Sequence, residues 1–297
     1  MTTEVSSNVG TAATVTPCPV PLNHFFVVPD GDTYRALAES EFLRKSFAVT
    51  ETRTTVRADS TYSGLYLYGE HTCLEFLWAI DDRSIGIGDS GVAFGVEEHG
   101  ALQHISEALP LEFPAKLSEI SRELDGRPVP WFLMASPRSL PYKGSTGFSF
   151  WLMEYDSRFL AEWHSSSAGT MQSITRHGVL ARYAATLREK PADPCFRDIV
   201  GLTVALEESQ ITFFTALCKS FGFGVGVAGD MTVLQGPAFE LRLIPEESRS
   251  RGILEATLRL NHRPAQPREH RFGTTVLNVL PDGTAKWVFN SQLGVSK

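Results

Sequence analysis

The chain has 297 residues, 42% of them hydrophobic, and a formal net charge of -7. That length can hold two domains or one large one with a sizeable core. The acidic balance, with no basic cluster beyond "SRSRG" at 248–252, argues against a nucleic-acid partner, which would require a basic face.

In chain order, "MTTEVSSNVGTAATVTPCPVP" has neither the basic start nor the apolar core of a signal peptide, and no apolar run approaches the ~18 residues of a membrane span. Residues 1–19 are expected to form a disordered tail on a cytoplasmic protein with no membrane partner. Cys18, Cys73, Cys195 and Cys218 show no CxxC spacing, which fits reduced thiols rather than a disulfide framework or a cysteine zinc site.

From residue 20 the pattern is a strand, "LNHFFVV", then the helical "GDTYRALAESEFL" with Tyr34, Leu37, Ala38 and Phe42 on one face. Three strands follow, "AVTETRTTVRA", "SGLYLYG" and "HTCLEFLWA", closed by the turn-rich "DDRSIGIGDSG". The order then repeats at a period of about seventy residues: strand "GVAFGVEE", helix "HGALQHISEAL", and strands "PWFLMAS" and "FSFWLMEY". A Ser- and Gly-rich stretch leads to a connecting helix around 175–189, and "EKPADP" breaks the chain. The order returns as the strand "DIVGLTVAL", a helix at 208–221 and the strands "MTVLQG" and "FELRLIP". A last set, "GILEATLRL", "GTTVLNVL" and "AKWVF", has no helix of comparable length. The expected organisation is a first domain over 20–160 that carries the site, a helical linker over 161–196 and a degenerate second copy over 197–297.

Two glycine motifs are decoys. "GIGDSG" at 86–91 and "GVGVAG" at 224–229 match GxGxxG, but neither has a strand before it and a helix opening inside it, so both are expected to be turns. No GxSxG, HExxH or Walker loop occurs.

The phrases "LNHFFVV", "HTCLEFL" and "GVAFGVEEHGALQHISEAL", with a His in a first strand and a Glu in a last one, resemble the vicinal oxygen chelate superfamily. That superfamily includes glyoxalase I, bleomycin resistance proteins and extradiol dioxygenases. "FWLMEYDSRFL" and "ITRHGVLARY" are similar to a glyoxalase-like branch of it. The resemblance implies an α+β fold of paired βαβββ units in cupped, incompletely closed mixed sheets, here duplicated.

It also implies metal ligands on the first and last strands of each unit. Carried onto this sequence, these are His24 and Glu75 from the first unit and Glu154 from the second, with Gly91 where metal-binding relatives usually have His. Such a set suits a divalent ion, Mn, Fe, Zn, Ni or Mg, that polarises a substrate oxygen. Glu154 is then a third ligand or the catalytic base, and His71, about 13 Å along the strand from Glu75, touches substrate instead of the same ion.

The leading expectation is a metal-dependent isomerase or lyase acting on a small oxygenated metabolite. The alternatives are a metal-free binding or resistance protein with an aromatic-lined cup, an extradiol-type dioxygenase, and a metal-free cyclase or isomerase of a biosynthetic pathway. The partner is expected to be a small molecule and the chain a monomer or simple homodimer.

Overall fold

The computed structural model describes residues 20–58, 60–78, 86–109, 115–137, 147–162, 173–247 and 251–289. The expected tail, 1–19, lies outside them. The first half is built from β1 (Leu22–Val27), α1 (Gly31–Ala38), β2 (Val49–Val56), β3 (Thr61–Tyr68), β4 (Cys73–Leu77), β5 (Ser90–Gly95), α2 (Ala101–Ala108), β6 (Ala115–Leu124), β7 (Arg127–Pro137) and β8 (Phe148–Tyr155). Two helices, α3 (Ser157–Glu162) and α4 (Arg176–Thr186), follow. The second half contains β9 (Phe196–Leu206), α5 (Glu208–Ser220), β10 (Gly224–Ala228), β11 (Met231–Gln235), β12 (Glu240–Pro245), β13 (Gly252–Leu260), β14 (Arg268–Phe272), β15 (Thr275–Val279) and β16 (Thr284–Phe289).

Each half forms one eight-stranded sheet, in the orders β2-β3-β4-β1-β5-β8-β7-β6 and β10-β11-β12-β9-β13-β16-β15-β14. The fold is α+β, a duplicated pair of cupped mixed sheets. The copies differ in one respect. In the first half β5 runs parallel to β8, because α2 carries the chain back across the sheet. In the second, residues 261–267 between β13 and β14 are too few for a crossover, and β16 pairs antiparallel to β13. Loss of one helix thus preserves the strand order but reverses three strands.

Strand alternation divides each sheet into two faces. Phe25, Val27, Leu65, Leu74, Phe76, Val92 and Phe94 of the first sheet join Leu202, Val204, Leu258, Leu277 and Trp287 of the second in a single buried core. Phe25 meets Phe289 at 5.8 Å and Phe76 meets Trp287 at 5.1 Å between ring centroids. Helices α1, α2 and α5 add Leu37, Leu102 and Phe214 to this layer.

Polar contacts join the halves as well: Ile199 N–H donates to Thr72 Oγ1 at 2.8 Å and Ile253 N–H to Ser90 Oγ at 3.1 Å. Gly69 is required at its junction, since a Cβ there would come within 2.3 Å of the Arg197 carbonyl oxygen. The second sheet shields one face of the first. The other face of the first sheet is left to form a cup.

Several elements depart from the sequence pattern. The first helix ends at Ala38, and a π-helical turn over Leu43–Phe47 buries Leu43 and Phe47 separately. "AKLSEISREL" forms the edge strand β6 although its charges show no apolar face, and "GVGVA" forms the exposed edge strand β10, with the turn only after it. Among the described residues no helix is long and apolar enough to cross a membrane.

Candidate functional site

The concave face of the first sheet encloses a cavity of about 650 Å³. Strand parity selects its walls: His24 and Phe26 from β1, Cys73, Glu75 and Leu77 from β4, Tyr62, Tyr66 and Tyr68 from β3, Arg53 from β2, and Ser149, Trp151, Met153 and Tyr155 from β8. Trp131, Phe132 and Met134 of β7 complete the rim, and Leu180 and Tyr183 of α4 close one end. The helix expected to be a linker is therefore part of the wall. Arg176 fixes its start, donating to the Leu22 carbonyl at 2.7 Å and pairing with Glu97 at 3.1 Å.

His24 and Glu75 come together. Their Nε2 and Oε1 atoms lie 3.9 Å apart. His24 Nδ1 sits 2.9 Å from Asn23 Oδ1, which orients the ring, and Trp151 packs edge-on against it at 5.3 Å. Burial lowers the His24 pKa to about 3, so the imidazole is neutral. Burial raises Glu75 to about 7, opposed in part by the Arg53 charge.

Arg53 is held by Glu51 at 2.8 Å and by the Tyr68 hydroxyl at 3.2 Å, and its guanidinium lies 4.1 Å from the Tyr66 ring centroid and 4.8 Å from that of Tyr183. Burial and the Glu75 charge hold the Cys73 thiol well above its usual range. It is a protonated wall group, not a nucleophile.

The other two candidates lie elsewhere. Glu154 falls on the core face of β8, outside the cavity wall. Its Oε1 accepts the Gly100 N–H at 2.7 Å and its Oε2 the Leu102 N–H at 3.0 Å, so it caps α2, whose own N-cap is a glycine with no side chain to give. The sequence reading set Glu154 beside His24 by matching strand ends; the one-residue parity of β8 turns it the other way. Glu154→Ala is expected to lose about 1–3 kcal/mol of stability, chiefly from the buried Leu102 N–H left unpaired, while small-molecule binding in the cup persists. Urea denaturation alongside a binding titration checks both.

His71 does not reach the cup either. It occupies the turn between β3 and β4, where its backbone N–H and Nδ1 meet the Asp198 carboxylate at 2.8 and 3.2 Å.

The resemblance drawn from the sequence implies a metal in the cup, and the residues present do not fit one. Cup-facing positions of the second unit are Gly91 and Ala93 on β5 and Ser149, Trp151, Met153 and Tyr155 on β8, none of them an imidazole or a carboxylate. A Cβ at Gly91 would meet the Phe26 ring at 2.5 Å, so that ring fills the place a ligand side chain would take. Two convergent donors, His24 and Glu75, fall short of the three protein ligands that catalytic metal sites use.

A different group brings potential metal ligands together. One donor atom each from Glu70, His71 and His177 lies within 4.8 Å of the others.

Sequence reasoning missed Arg53, the tyrosines and the place of α4 in the cavity wall. "TYSGLYLYG" carries Tyr62, Tyr66 and Tyr68 at even spacing, a signal that one face of the strand is rich in hydroxyls.

The sequence model of the family described as "Family of unknown function (DUF5829)" matches residues 22–289. The chain belongs to that family. None of the curated proteins compared matches it.

Among solved structures, a hypothetical protein from Staphylococcus aureus is similar with a TM-score of 0.53 and 9% identity, over 87% of this chain and 98% of that one. A xylose isomerase-like TIM barrel/4-hydroxyphenylpyruvate dioxygenase fusion protein aligns with a TM-score of 0.43 and 11% identity, over 87% of this chain and 40% of that one. The first likeness concerns the fold alone.

Proposed function

We propose that the cup binds a small, largely aromatic or apolar oxygenated molecule and that Glu75, beside neutral His24, moves a proton on it in an isomerase or lyase reaction. The observation that carries this reading is a buried carboxyl with a pKa of about 7, 3.9 Å from a neutral imidazole, in a cavity of about 650 Å³. A general base works best when its pKa lies near the operating pH.

The walls suit such a ligand. Aromatic faces of Trp131, Trp151 and Tyr66 supply apolar contact, while the Glu75 carboxyl and the His24 ring supply the polar groups. His24 stays neutral throughout the working range, so its ring can hydrogen-bond to the ligand or to Glu75 without taking the proton itself. No step needs a metal in the cup.

The test uses 2-tetralone, an aromatic ketone with acidic C–H bonds, in D2O. Wild type is expected to accelerate exchange of its α-protons, with a rate that rises with pH through about 7 as Glu75 ionises. Glu75→Gln is expected to bind the ketone and lose at least a hundredfold of the exchange rate, the lower end of general-base contributions, on the order of 10²–10⁴. Binding by both proteins with no exchange above background would reject the enzyme reading and favour a metal-free binding protein, which the same aromatic walls would serve.

A further inference from the structure

Outside the cup, the turn between β3 and β4, the start of α4 and the start of β9 meet at one point. Glu70 and His71 come from the turn, His177 from the second residue of α4, and Arg197 and Asp198 from β9. We propose that Glu70, His71 and His177 form a zinc site that clasps α4 to the junction of the two halves.

Three observations support the assignment. The first is convergence, since donor atoms from all three residues lie within 4.8 Å of one another. A tetrahedral ion with bonds of ~2.0–2.1 Å holds its ligands about 3.4 Å apart, so closure asks roughly an ångström or so of side chains that are exposed or half-buried.

The second is ring orientation. His71 Nδ1 lies 3.2 Å from the Asp198 carboxylate and His177 Nδ1 lies 3.1 Å from the Glu70 carbonyl oxygen. Each imidazole has one nitrogen on an acceptor, which places its proton there and leaves Nε2 with a lone pair for an ion. Metal-ligating histidines show this pattern, with the non-ligating N–H given to a carboxylate or a backbone carbonyl. Asp198 is itself fixed, its Oδ1 accepting the His71 N–H at 2.8 Å and the Thr72 hydroxyl at 3.1 Å.

The third is the donor set. Two imidazoles and one carboxylate suit zinc, with a fourth position open to water. Glu70 gives one oxygen, Oε2, to Arg197 Nε at 2.9 Å, and its other oxygen remains to bind. The two rings lie 5.5 Å apart, tilted by 39°, and do not stack.

The site is separate from the His24–Glu75 pair. An ion there would fix α4, which carries Leu180 and Tyr183 into the cup, and so would hold that end of the cavity closed.

The test is zinc stoichiometry after equilibrium dialysis of untagged protein against micromolar zinc sulfate, read by elemental mass spectrometry, together with thermal melting. Wild type is expected to retain one zinc per chain and to melt at a higher temperature with zinc than with chelator, because an ion that binds only the folded chain stabilises it. His177→Ala, which removes an exposed ring, and Glu70→Gln should each weaken zinc binding at least tenfold and abolish the shift in melting. His24→Ala should leave both readouts unchanged. Wild type without zinc, or His177→Ala with a full complement of it, would overturn the site. Loss of zinc in His24→Ala with retention in His177→Ala would move the ion into the cup.

Discussion

Trp287→Ala is expected to destabilise the whole protein by about 3–5 kcal/mol in urea denaturation, the usual cost of truncating a fully buried large aromatic. Trp287 has no exposed surface, and its indole N–H donates to Thr275 Oγ1 at 3.3 Å. Its ring also meets both halves: Phe47 at 5.9 Å and Phe76 at 5.1 Å from the first, Phe272 at 5.9 Å and Phe289 at 6.1 Å from the second. The cavity left by alanine would open between the sheets, so a single cooperative transition should move as a unit. Two transitions, with that of the first half unmoved, would show that the halves do not share one folding core.

That shared core marks the limit of what alternation alone reveals. The first strand's alternation correctly separates His24 from Phe25 and Val27, and the β4 pattern correctly joins Cys73, Glu75 and Leu77 on one face, because both strands are short and central and pair in unbroken register from His24 to Val27. The β8 pattern was equally clear in the sequence. Phe148, Phe150, Leu152 and Glu154 do share a face, but that face looks at α2 and the core.

Periodicity states which residues lie together, not which side of the sheet they look to. The side is decided by what packs there, and here a second sheet and α5, both distant in sequence, decide it. The reversed direction of β14, β15 and β16 has the same kind of cause, since it follows from the length of one connection rather than from any strand's own residues. Helix α4 was legible as a helix through Leu180, Tyr183, Ala184 and Leu187, which share a face at helical spacing. Its place against the cup was not, because that rests on Arg176 reaching the Leu22 carbonyl, a contact across 154 positions.

The strongest effect of pH on stability is expected from the buried pair. His24 has an ordinary value of 6.5 when unfolded and about 3 when folded, so the folded state binds fewer protons between those values. Its contribution is complete above about 6.5 and is lost as pH falls toward 3. Glu75 runs the other way. Its ordinary value of 4.5 rises to about 7 on folding, so its contribution is complete below about 4.5 and is lost as pH rises through 7.

Between about 4.5 and 6.5 the two slopes oppose each other, and the pair gives a plateau of stability that falls on both sides. At ~1.4 kcal/mol for each pKa unit, the part of the Glu75 branch above pH 5 amounts to about 2–3 kcal/mol, its side chain being only 16% exposed and little screened. Glu75→Gln removes the titration while keeping the shape, so from pH 5 to pH 8 the variant should gain about that much stability relative to wild type, its profile rising where that of wild type is nearly flat. His24→Gln should instead remove the acid branch and leave the alkaline one. Chemical denaturation of the three proteins at pH 4, 5, 6.5 and 8 measures both branches. Profiles that stay parallel in wild type and Glu75→Gln would mean that Glu75 is ionised in the folded protein at pH 5, and would remove the near-neutral titration on which the proposed pH dependence of proton transfer rests.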